Sequence, residues 1–285
     1  VIEAVFEDMQ LKKDLFKKLD NICDKKCIFG TNTSSLDIDE MASPLRDKSR
    51  LVGIHFFNPP HVIKVVEIIN GKHTSGTAVA TAFESCRAMK KVAVLVGNVP
   101  GFVFNRLLFC YMEQAHRLLY EHGLLPNHVD EIVKSAGFLM GPITMHDMNG
   151  LDVGAKVKRE QNWPQNPIEE ELLQLKRYGR KNGKGFYSYD KDAKKHNDVE
   201  VEEIIRRLSS KAKIHNVLMS DQAVLEYLLF PMANEGYNLV EKKIIAHQSL
   251  IDIMFILGFG WPPATGGPMK WAEKRTNRLC ELLRE

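Results

Sequence analysis

Two neighbouring apolar stretches decide the fold of this chain: Arg50-Leu-Val-Gly-Ile-His-Phe-Phe-Asn-Pro-Pro60 and Val62-Ile-Lys-Val-Val-Glu-Ile-Ile-Asn-Gly71. Each is a run of mostly apolar residues that closes at proline or glycine. Such runs are typical of strands that are buried on both faces. The sequence therefore predicts two adjacent strands inside a covered sheet, joined by a turn at Pro59 and Pro60.

An ionisable side chain lies directly among the apolar residues of each stretch, His55 after Gly53-Ile54 in the first and Glu67 between Val65-Val66 and Ile68-Ile69 in the second. A charged Glu67 among valines and isoleucines is costly unless a group pairs with it, and the turn returns the imidazole to it. A carboxylate that holds a histidine in one tautomer is an arrangement for moving a proton at neutral pH. The alternative is a polar pair that only closes a strand turn, because buried polar groups are common at strand ends.

Strands alternate with helices through residues 1–98. The predicted strands are Val1–Phe6, a short strand ending at Thr31, the two stretches above and Val92–Val96, and the predicted helices are Asp8–Ile22 and Ser75–Lys90. A further helix is predicted to begin at Ser34 or Ser35, with the carboxylates of Asp37 and Glu40 near its N-terminus. This alternation indicates a mainly parallel sheet. No Gly-x-Gly-x-x-Gly follows a strand, and the elements are too few for a complete doubly wound domain, so we expect the chain to begin inside a sheet.

The pattern changes to helices after Asn98-Val-Pro-Gly101. Residues 158–197 are polar and are predicted to form a connector that packs through the aromatic residues of Gly183-Lys-Gly-Phe-Tyr-Ser-Tyr189. Two helical stretches resemble each other at an offset of about 120 residues: Val129-Asp-Glu-Ile with Gly141-Pro142, and Ile251-Asp-Ile-Met with Gly267-Pro268. We therefore predict three domains, residues 1–98, 99–197 and 198–285, of which the third repeats the second.

Composition excludes several classes of protein. The chain has 285 residues, 44% hydrophobic and 26% charged, which is typical of a globular protein. A net charge of +3 is too small to indicate nucleic-acid binding, and no apolar run is long enough to span a membrane. Cys23 and Cys27 lie close together, but no second pair of cysteines or histidines completes a zinc site, so no metal is expected.

Five motifs, in this order and at this spacing, carry a family resemblance. They are Val1-Ile-Glu-Ala-Val-Phe-Glu-Asp8, Thr31-Asn-Thr-Ser-Ser-Leu36, Gly53-Ile-His-Phe-Phe-Asn-Pro59, Pro100-Gly-Phe-Val-Phe-Asn-Arg106 and Gly179-Arg-Lys-Asn-Gly-Lys-Gly-Phe-Tyr187. The sequence resembles the 3-hydroxyacyl-CoA dehydrogenase family over nearly its whole length. Its second helical copy, with Gly258-Phe-Gly-Trp-Pro-Pro263 and Gly266-Gly-Pro-Met269, is similar to the dehydrogenase half of multifunctional β-oxidation enzymes, and the stretch Glu7-Asp-Met-Gln-Leu-Lys-Lys13 looks most like the peroxisomal enzymes of that kind. The resemblance implies an α/β plus all-α fold, in which an incomplete Rossmann-type sheet domain precedes two related helical dehydrogenase C-terminal domains.

The resemblance also implies roles for individual residues. His55 is the implied catalytic base, Glu67 orients it and stabilises its charge, and Ser34 and Asn105 hydrogen-bond the reacting oxygen and the nicotinamide region. The residues implied to contact the dinucleotide are Glu7, Lys12, Ser34, Asn58 and Lys181. Four of these residues have a structural alternative: a helix cap for Ser34, a domain-junction cap for Asn105, and a solvated lysine for Lys12 and Lys181.

The implied activity is NAD-dependent oxidation of (S)-3-hydroxyacyl-CoA to 3-oxoacyl-CoA in the peroxisome, with the mitochondrion as the alternative compartment. An upstream enoyl-CoA hydratase domain in the same parent chain is an implied partner. The alternatives are a short-chain hydroxybutyryl-CoA or sugar-acid dehydrogenase, or a non-catalytic structural or CoA-binding fragment. The glycine loop that cradles the pyrophosphate and the acidic residue that reads the adenine ribose are absent from this sequence, so we expect the chain alone to be inactive.

Overall fold

The computed structural model describes residues 1–160, 163–212 and 219–282. It divides into two compact units, one formed by residues 1–107 and 234–278, the other by residues 108–233 and 279–285. Parts of the predicted connector and of the predicted third domain, at 161–162, 213–218 and 283–285, lie outside the described residues. The division into domains 1–98, 99–197 and 198–285 stays a prediction, because compactness does not test descent by duplication.

The first unit contains a five-stranded sheet in the order β1-β2-β3-β4-β5. Its strands are β1 (Ile2–Glu3), β2 (Phe29–Thr31), β3 (Leu51–Phe56), β4 (Val65–Asn70) and β5 (Val92–Gly97). All neighbours are parallel except β3 and β4, which are antiparallel. The prediction of a mainly parallel sheet with two adjacent buried strands is confirmed, although β1 is shorter than the predicted strand.

Several helices belong wholly to the first unit. They are α1 (Met9–Ile22), α2 (Ile38–Met41), α3 (Gly76–Ala88), α11 (Gln248–Gly258) and α12 (Pro268–Glu273), while α4 (Phe104–Tyr120), α10 (Asp221–Glu241) and α13 (Thr276–Leu282) include residues of both units. Asp8 caps α1 by accepting from the N–H of Leu11 at 2.7 Å. The predicted start of α2 at Ser34 or Ser35 is wrong, because Asp37 is the cap and accepts from the N–H of Asp39 at 2.8 Å.

Strands β3 and β4 are buried because α3 covers one face of the sheet. Val52, Ile54, Val66 and Ile68 form a single apolar cluster with Ala78, Ala82 and Cys86 of α3. The small residues of α3 let the helix lie close to the strands. Gly53 on β3 allows a close approach, since a Cβ there would lie 2.6 Å from the Cβ of Ile69.

The second unit is mainly helical. Its elements are α5 (Pro126–Ser135), α6 (Pro142–Asn149), α7 (Leu151–Glu160), α8 (Pro167–Gln174), α9 (Val199–Ser209) and the hairpin of β6 (Ser188–Tyr189) and β7 (Lys195–His196). The predicted connector is therefore more structured than expected, because α8 lies within it. Phe186 and Tyr187 are both 1% exposed, so this segment does pack through its aromatic residues. No described helix of the chain has the length and apolarity needed to cross a membrane.

The same helix-capping arrangement occurs twice. Asp130 on α5 accepts from the N–H of Ile143 at 2.9 Å and of Thr144 at 3.0 Å, in the first turn of α6. Asp252 on α11 accepts from the N–H of Met269 at 2.8 Å, in the first turn of α12. Both capped helices begin with proline after glycine. The two landmarks on which the predicted duplication rests therefore have the same local geometry, and the duplication itself stays a prediction.

Candidate active site

His55 and Glu67 face each other across the antiparallel pair of strands. They are direct register partners on β3 and β4, so both side chains project from the same face of the sheet. His55 Nδ1 lies 2.7 Å from Glu67 Oε2, and the residues are 6% and 0% exposed. The structure therefore contains the pairing of His55 and Glu67 that the sequence predicts, as a hydrogen bond between two buried side chains.

The second carboxylate oxygen of Glu67 lies at the N-terminus of α4. Glu67 Oε1 accepts from the N–H of Val103 at 3.1 Å and from the N–H of Phe104 at 2.9 Å. The positive end of the helix dipole and these two donors stabilise the negative charge, which offsets the cost of burying it. Glu67 thus joins the imidazole to the first turn of a 17-residue helix.

The contact with Glu67 fixes which nitrogen of His55 can accept a proton. A carboxylate accepts, so Nδ1 carries the hydrogen of the neutral ring and Nε2 holds the free lone pair. Among the described residues, no group hydrogen-bonds Nε2. The ring is flanked by Phe57 and Phe102, with centroids 5.1 Å and 5.7 Å away. The arrangement can therefore accept a proton at Nε2 beside an apolar wall.

Ser34 and Asn105 lie together, beside the same helix turn. The amide of Asn105, in the first turn of α4, donates to the carbonyl of Ser34 at 3.2 Å. The N–H of Ser34 donates to Glu7 Oε1 at 2.8 Å. The Ser34 hydroxyl has no hydrogen-bond partner among the described residues, and the helix-cap alternative for Ser34 is excluded by the cap at Asp37.

Glu7, which follows β1, accepts hydrogen bonds from the loop after β2. Its Oε1 also accepts from the hydroxyl of Thr33 at 2.6 Å, and its side chain is 27% exposed. Asn58, which follows β3, is exposed and has no hydrogen bond to the described residues. Glu7, Ser34 and Asn58 therefore all follow strands of the sheet, where open α/β sheets bind their ligands.

The two lysines predicted to contact the dinucleotide, Lys12 and Lys181, differ in burial and in the unit to which they belong. Lys12 is 1% exposed, and its Nζ lies 2.8 Å from Glu3 and 3.5 Å from Glu7, so the solvated alternative for Lys12 is wrong. Lys181 belongs to the second unit, in a 3-10 turn at residues 180–182. Its Nζ forms an exposed ion pair with Asp152 at 2.6 Å.

A buried polar network in the second unit was not foreseen from the sequence. His116 Nε2 lies 2.8 Å from His146 Nδ1, and His146 Nε2 lies 3.3 Å from Glu169. The amide of Asn166 lies 2.9 Å from His116 Nδ1, and Lys158 forms an ion pair with Glu169. One tautomer of both neutral rings satisfies every contact, with the hydrogens pointing from Asn166 toward Glu169.

These residues could be mistaken for a metal site, because their ligand atoms lie within 4.8 Å of one another and all three ligand residues are buried. The ammonium of Lys158 already neutralises Glu169, and the direct contact between the two rings uses both facing nitrogens. The donor set therefore suits a hydrogen-bonded chain better than a cation. A signal in the sequence is His116, a polar residue that lies buried on α4.

Two family models match the chain. The model for the NAD binding domain of 3-hydroxyacyl-CoA dehydrogenase matches residues 1–99. The model for the C-terminal domain of 3-hydroxyacyl-CoA dehydrogenase matches residues 101–189. Together the two matches cover well over half of the chain.

Individual proteins are also similar. The peroxisomal bifunctional enzyme of Danio rerio is 39% identical over 95% of this chain and 40% of its own length. The crystal structure of the dehydrogenase part of multifunctional enzyme 1 from C. elegans is 58% identical, with a TM-score of 0.67 over 92% of this chain and 60% of that chain. The crystal structure of 3-hydroxybutyryl-CoA dehydrogenase from Escherichia coli shares the fold, with a TM-score of 0.81 over 100% of this chain and 77% of that chain at 24% identity. The chain spans about two fifths of the length of the curated relatives it matches.

Proposed function

The chain belongs to the 3-hydroxyacyl-CoA dehydrogenase family, and from that premise we propose that it carries the NAD-dependent oxidation of (S)-3-hydroxyacyl-CoA to 3-oxoacyl-CoA. The family resemblance seen in the five motifs is confirmed by the matches. The observation that carries the proposal is the buried pair of His55 and Glu67, with Nε2 of the imidazole left open.

In this proposal His55 Nε2 accepts the proton of the substrate 3-hydroxyl. Glu67 keeps the hydrogen on Nδ1 and stabilises the imidazolium that forms, while the N–H groups of Val103 and Phe104, at the start of α4, hold Glu67 in place. The Ser34 hydroxyl and the Asn105 amide are neutral donors near the same helix turn, and such donors suit an oxygen that gains partial negative charge. In the reverse direction the imidazolium returns the proton to the oxygen.

The donor set of the first unit fits a dinucleotide. NAD, when bound, supplies the acceptor for the hydride that leaves C3. Glu7, Ser34 and Asn58 follow the sheet strands and are the residues we propose to hold it, since the Ser34 hydroxyl and the Asn58 amide are free among the described residues. Lys12 is proposed to act by holding the carboxylates of Glu3 and Glu7, and Lys181 stays a proposed contact.

Two alternatives are less well supported. A non-catalytic role does not explain why Glu67 is held by three hydrogen bonds and why Nε2 of His55 has no partner among the described residues. A short-chain substrate is supported by the crystal structure of (S)-3-hydroxybutyryl-CoA dehydrogenase from Ralstonia eutropha, which is 35% identical, but that match covers 67% of this chain, against 95% for the peroxisomal bifunctional enzyme of Danio rerio. None of the similar proteins named above is a sugar-acid dehydrogenase. Relatives at 34% identity are named as fatty acid β-oxidation multifunctional proteins, which favours fatty-acid β-oxidation.

We further propose the context in which the reaction takes place. Relatives at 39% and 34% identity carry peroxisomal names, which supports a peroxisomal location, whereas the names give no support to the mitochondrial alternative. The acyl-CoA thioester as substrate and an enoyl-CoA hydratase domain in the same parent chain are proposed on the same basis. The first relative is described as a bifunctional enzyme, which agrees with a second activity outside this chain.

The test is NADH oxidation with acetoacetyl-CoA, measured on the protein that carries this chain. We expect His55→Gln to lower kcat by about a thousandfold or more, because the ring that transfers the proton is lost. His73→Gln changes an exposed histidine of the same unit and should leave kcat unchanged. Full turnover by His55→Gln would refute the assigned base, and a wild-type protein without turnover would refute the function.

A further inference from the structure

The first turn of α4 is held by a different element at each of three consecutive residues. The ring of Phe104 packs against the rings of Phe57 and Phe255, with centroids 4.2 Å and 4.9 Å away. The amide of Asn105 binds the loop at Ser34. Arg106 pairs with α10, as described next. Because this turn also donates two N–H groups to Glu67, its position sets the position of the carboxylate.

Arg106 forms an ion pair with Glu235. We call this ion pair, together with the contacts of Phe104 and Asn105, the clamp of α4. Arg106 Nε and Nη2 lie 2.6 Å and 2.5 Å from Glu235 Oε1, so two guanidinium donors meet one carboxylate oxygen. The side chains are 28% and 15% exposed, and the amide of Asn238 lies 3.4 Å from the other oxygen of Glu235. Charge-assisted contacts of this kind are stronger when they are shielded from water. Glu235 lies outside the 101–189 range that the family model matches.

The backbone just before α4 needs such a clamp. Gly101 has φ 74° and Phe102 has φ 52°, a left-handed conformation that is costly for a bulky residue. Phe102 is fully buried and places its ring 5.7 Å from the ring of His55. A strained backbone conformation persists only where its surroundings fix it. The first turn of α4 comes directly after these residues in the chain, so the contacts that hold this turn also hold the strained segment.

We propose that Glu235, acting through Arg106, is a positioning residue for the pair of Glu67 and His55. The ion pair holds the first turn of α4 so that the N–H groups of Val103 and Phe104 stay aligned with Glu67. The proposal rests on the proposed dehydrogenase function. It gives a stretch beyond the matched family domains a direct part in the geometry of the active site.

The first test compares two neutral substitutions in the same stretch of the chain. Glu235→Gln removes the charge that holds Arg106, and we expect kcat with acetoacetyl-CoA to fall about tenfold or more, since small displacements of catalytic groups are costly. KM for acetoacetyl-CoA should stay within about twofold, because neither residue is proposed to bind it. Glu273→Gln breaks an exposed ion pair with Lys270 and should leave both constants unchanged. Arg106→Lys keeps the charge but loses the paired donors, and should give an intermediate kcat even if Glu235→Gln fails to fold.

A double mutant separates positioning from simple stabilisation. Once Glu67→Gln has removed the carboxylate, adding Glu235→Gln should lower kcat by less than about twofold, although the melting temperature still falls. Equal losses in both backgrounds, or unchanged kcat in Glu235→Gln and Arg106→Lys, would overturn the proposal. A large loss in His55→Gln with no loss in these variants refutes the clamp alone, whereas a wild-type protein without turnover refutes the proposed function together with the clamp.

Discussion

Lys12 and Glu3 form an ion pair that is almost completely buried. The Lys12 ammonium lies 2.8 Å and 2.9 Å from the two oxygens of Glu3, and the residues are 1% and 4% exposed. Glu3 also accepts from the hydroxyl of Thr31 and from the N–H of Val5 at 3.0 Å. The pair therefore ties α1 to the ends of β1 and β2, directly before the loop that contains Glu7.

We expect Lys12→Met to destabilise the protein by about 3–5 kcal/mol, because it leaves the Glu3 carboxylate buried without a counter-charge. Adding Glu3→Gln should recover part of that loss. Lys13→Met removes an exposed pair with Glu40 and should cost less than about 1 kcal/mol. Urea unfolding of the three variants is the measurement. Equal losses for Lys12→Met and Lys13→Met would contradict a structural role for the buried pair.

Replacing Glu67 by glutamine should separate binding from chemistry. The carbonyl of the new side chain could still accept from α4, but its amide would face His55 Nδ1 as a donor and favour the tautomer that has no lone pair on Nε2. We expect Glu67→Gln to lower kcat by about a hundredfold to ten-thousandfold, with KM for acetoacetyl-CoA changed little. Steady-state kinetics of acetoacetyl-CoA reduction measure both constants. A kcat within twofold of the wild-type value would show that the carboxylate is dispensable.

The pairing of His55 with Glu67 was accessible from the sequence because it is local. Two apolar strands joined by a short turn must run antiparallel, and a polar residue in each then finds its partner across the pair. The mainly parallel sheet was accessible for a similar reason, since alternating strands and helices leave few other topologies. These features depend on pattern and on neighbours in the chain.

The rest of the site depends on contacts between distant segments, which no local pattern records. The N–H groups that hold Glu67 come from 36 and 37 residues away, and Glu235 lies 129 residues from Arg106. In the sequence, Lys12 has the pattern of a solvated residue on an amphipathic helix. Its burial becomes visible only in the structure, where it pairs with Glu3. Serine and aspartate are both good helix caps, so propensity alone could not favour Asp37 over Ser34.

The two capping aspartates should differ in the stability they provide. Asp130 accepts from the hydroxyl of Tyr187 at 2.7 Å in addition to two N–H groups of α6, whereas Asp252 accepts from N–H groups of α12. We expect Asp130→Ala to cost roughly 3 kcal/mol or more and Asp252→Ala roughly 1–2 kcal/mol, because each lost acceptor leaves a donor unpaired. Thermal unfolding of the two variants compares them. A larger loss for Asp252→Ala would contradict this ranking.

The paired histidines of the second unit should make the protein sensitive to acid. Burial, and then the charge of Lys158, lower the pKa of His146 to about 3, and burial lowers the pKa of His116 well below its ordinary value of 6.5. Both rings therefore stay neutral in the folded protein while the unfolded chain takes up protons below about pH 6.5. Their contribution to stability is complete above that pH and is lost as the pH falls.

The free energy of unfolding should fall by up to about 1.4 kcal/mol per pH unit for each buried histidine as the pH is lowered. We expect His146→Gln to reduce the slope of unfolding free energy against pH between pH 6 and 4, while His128→Gln, an exposed change on α5, leaves it unchanged. Burial raises the pKa of Glu169, which works in the opposite direction, but Glu169 is present in both variants. Urea unfolding at several pH values gives the slopes. Identical slopes for His146→Gln and the wild-type protein would mean that this ring is not held neutral by the fold.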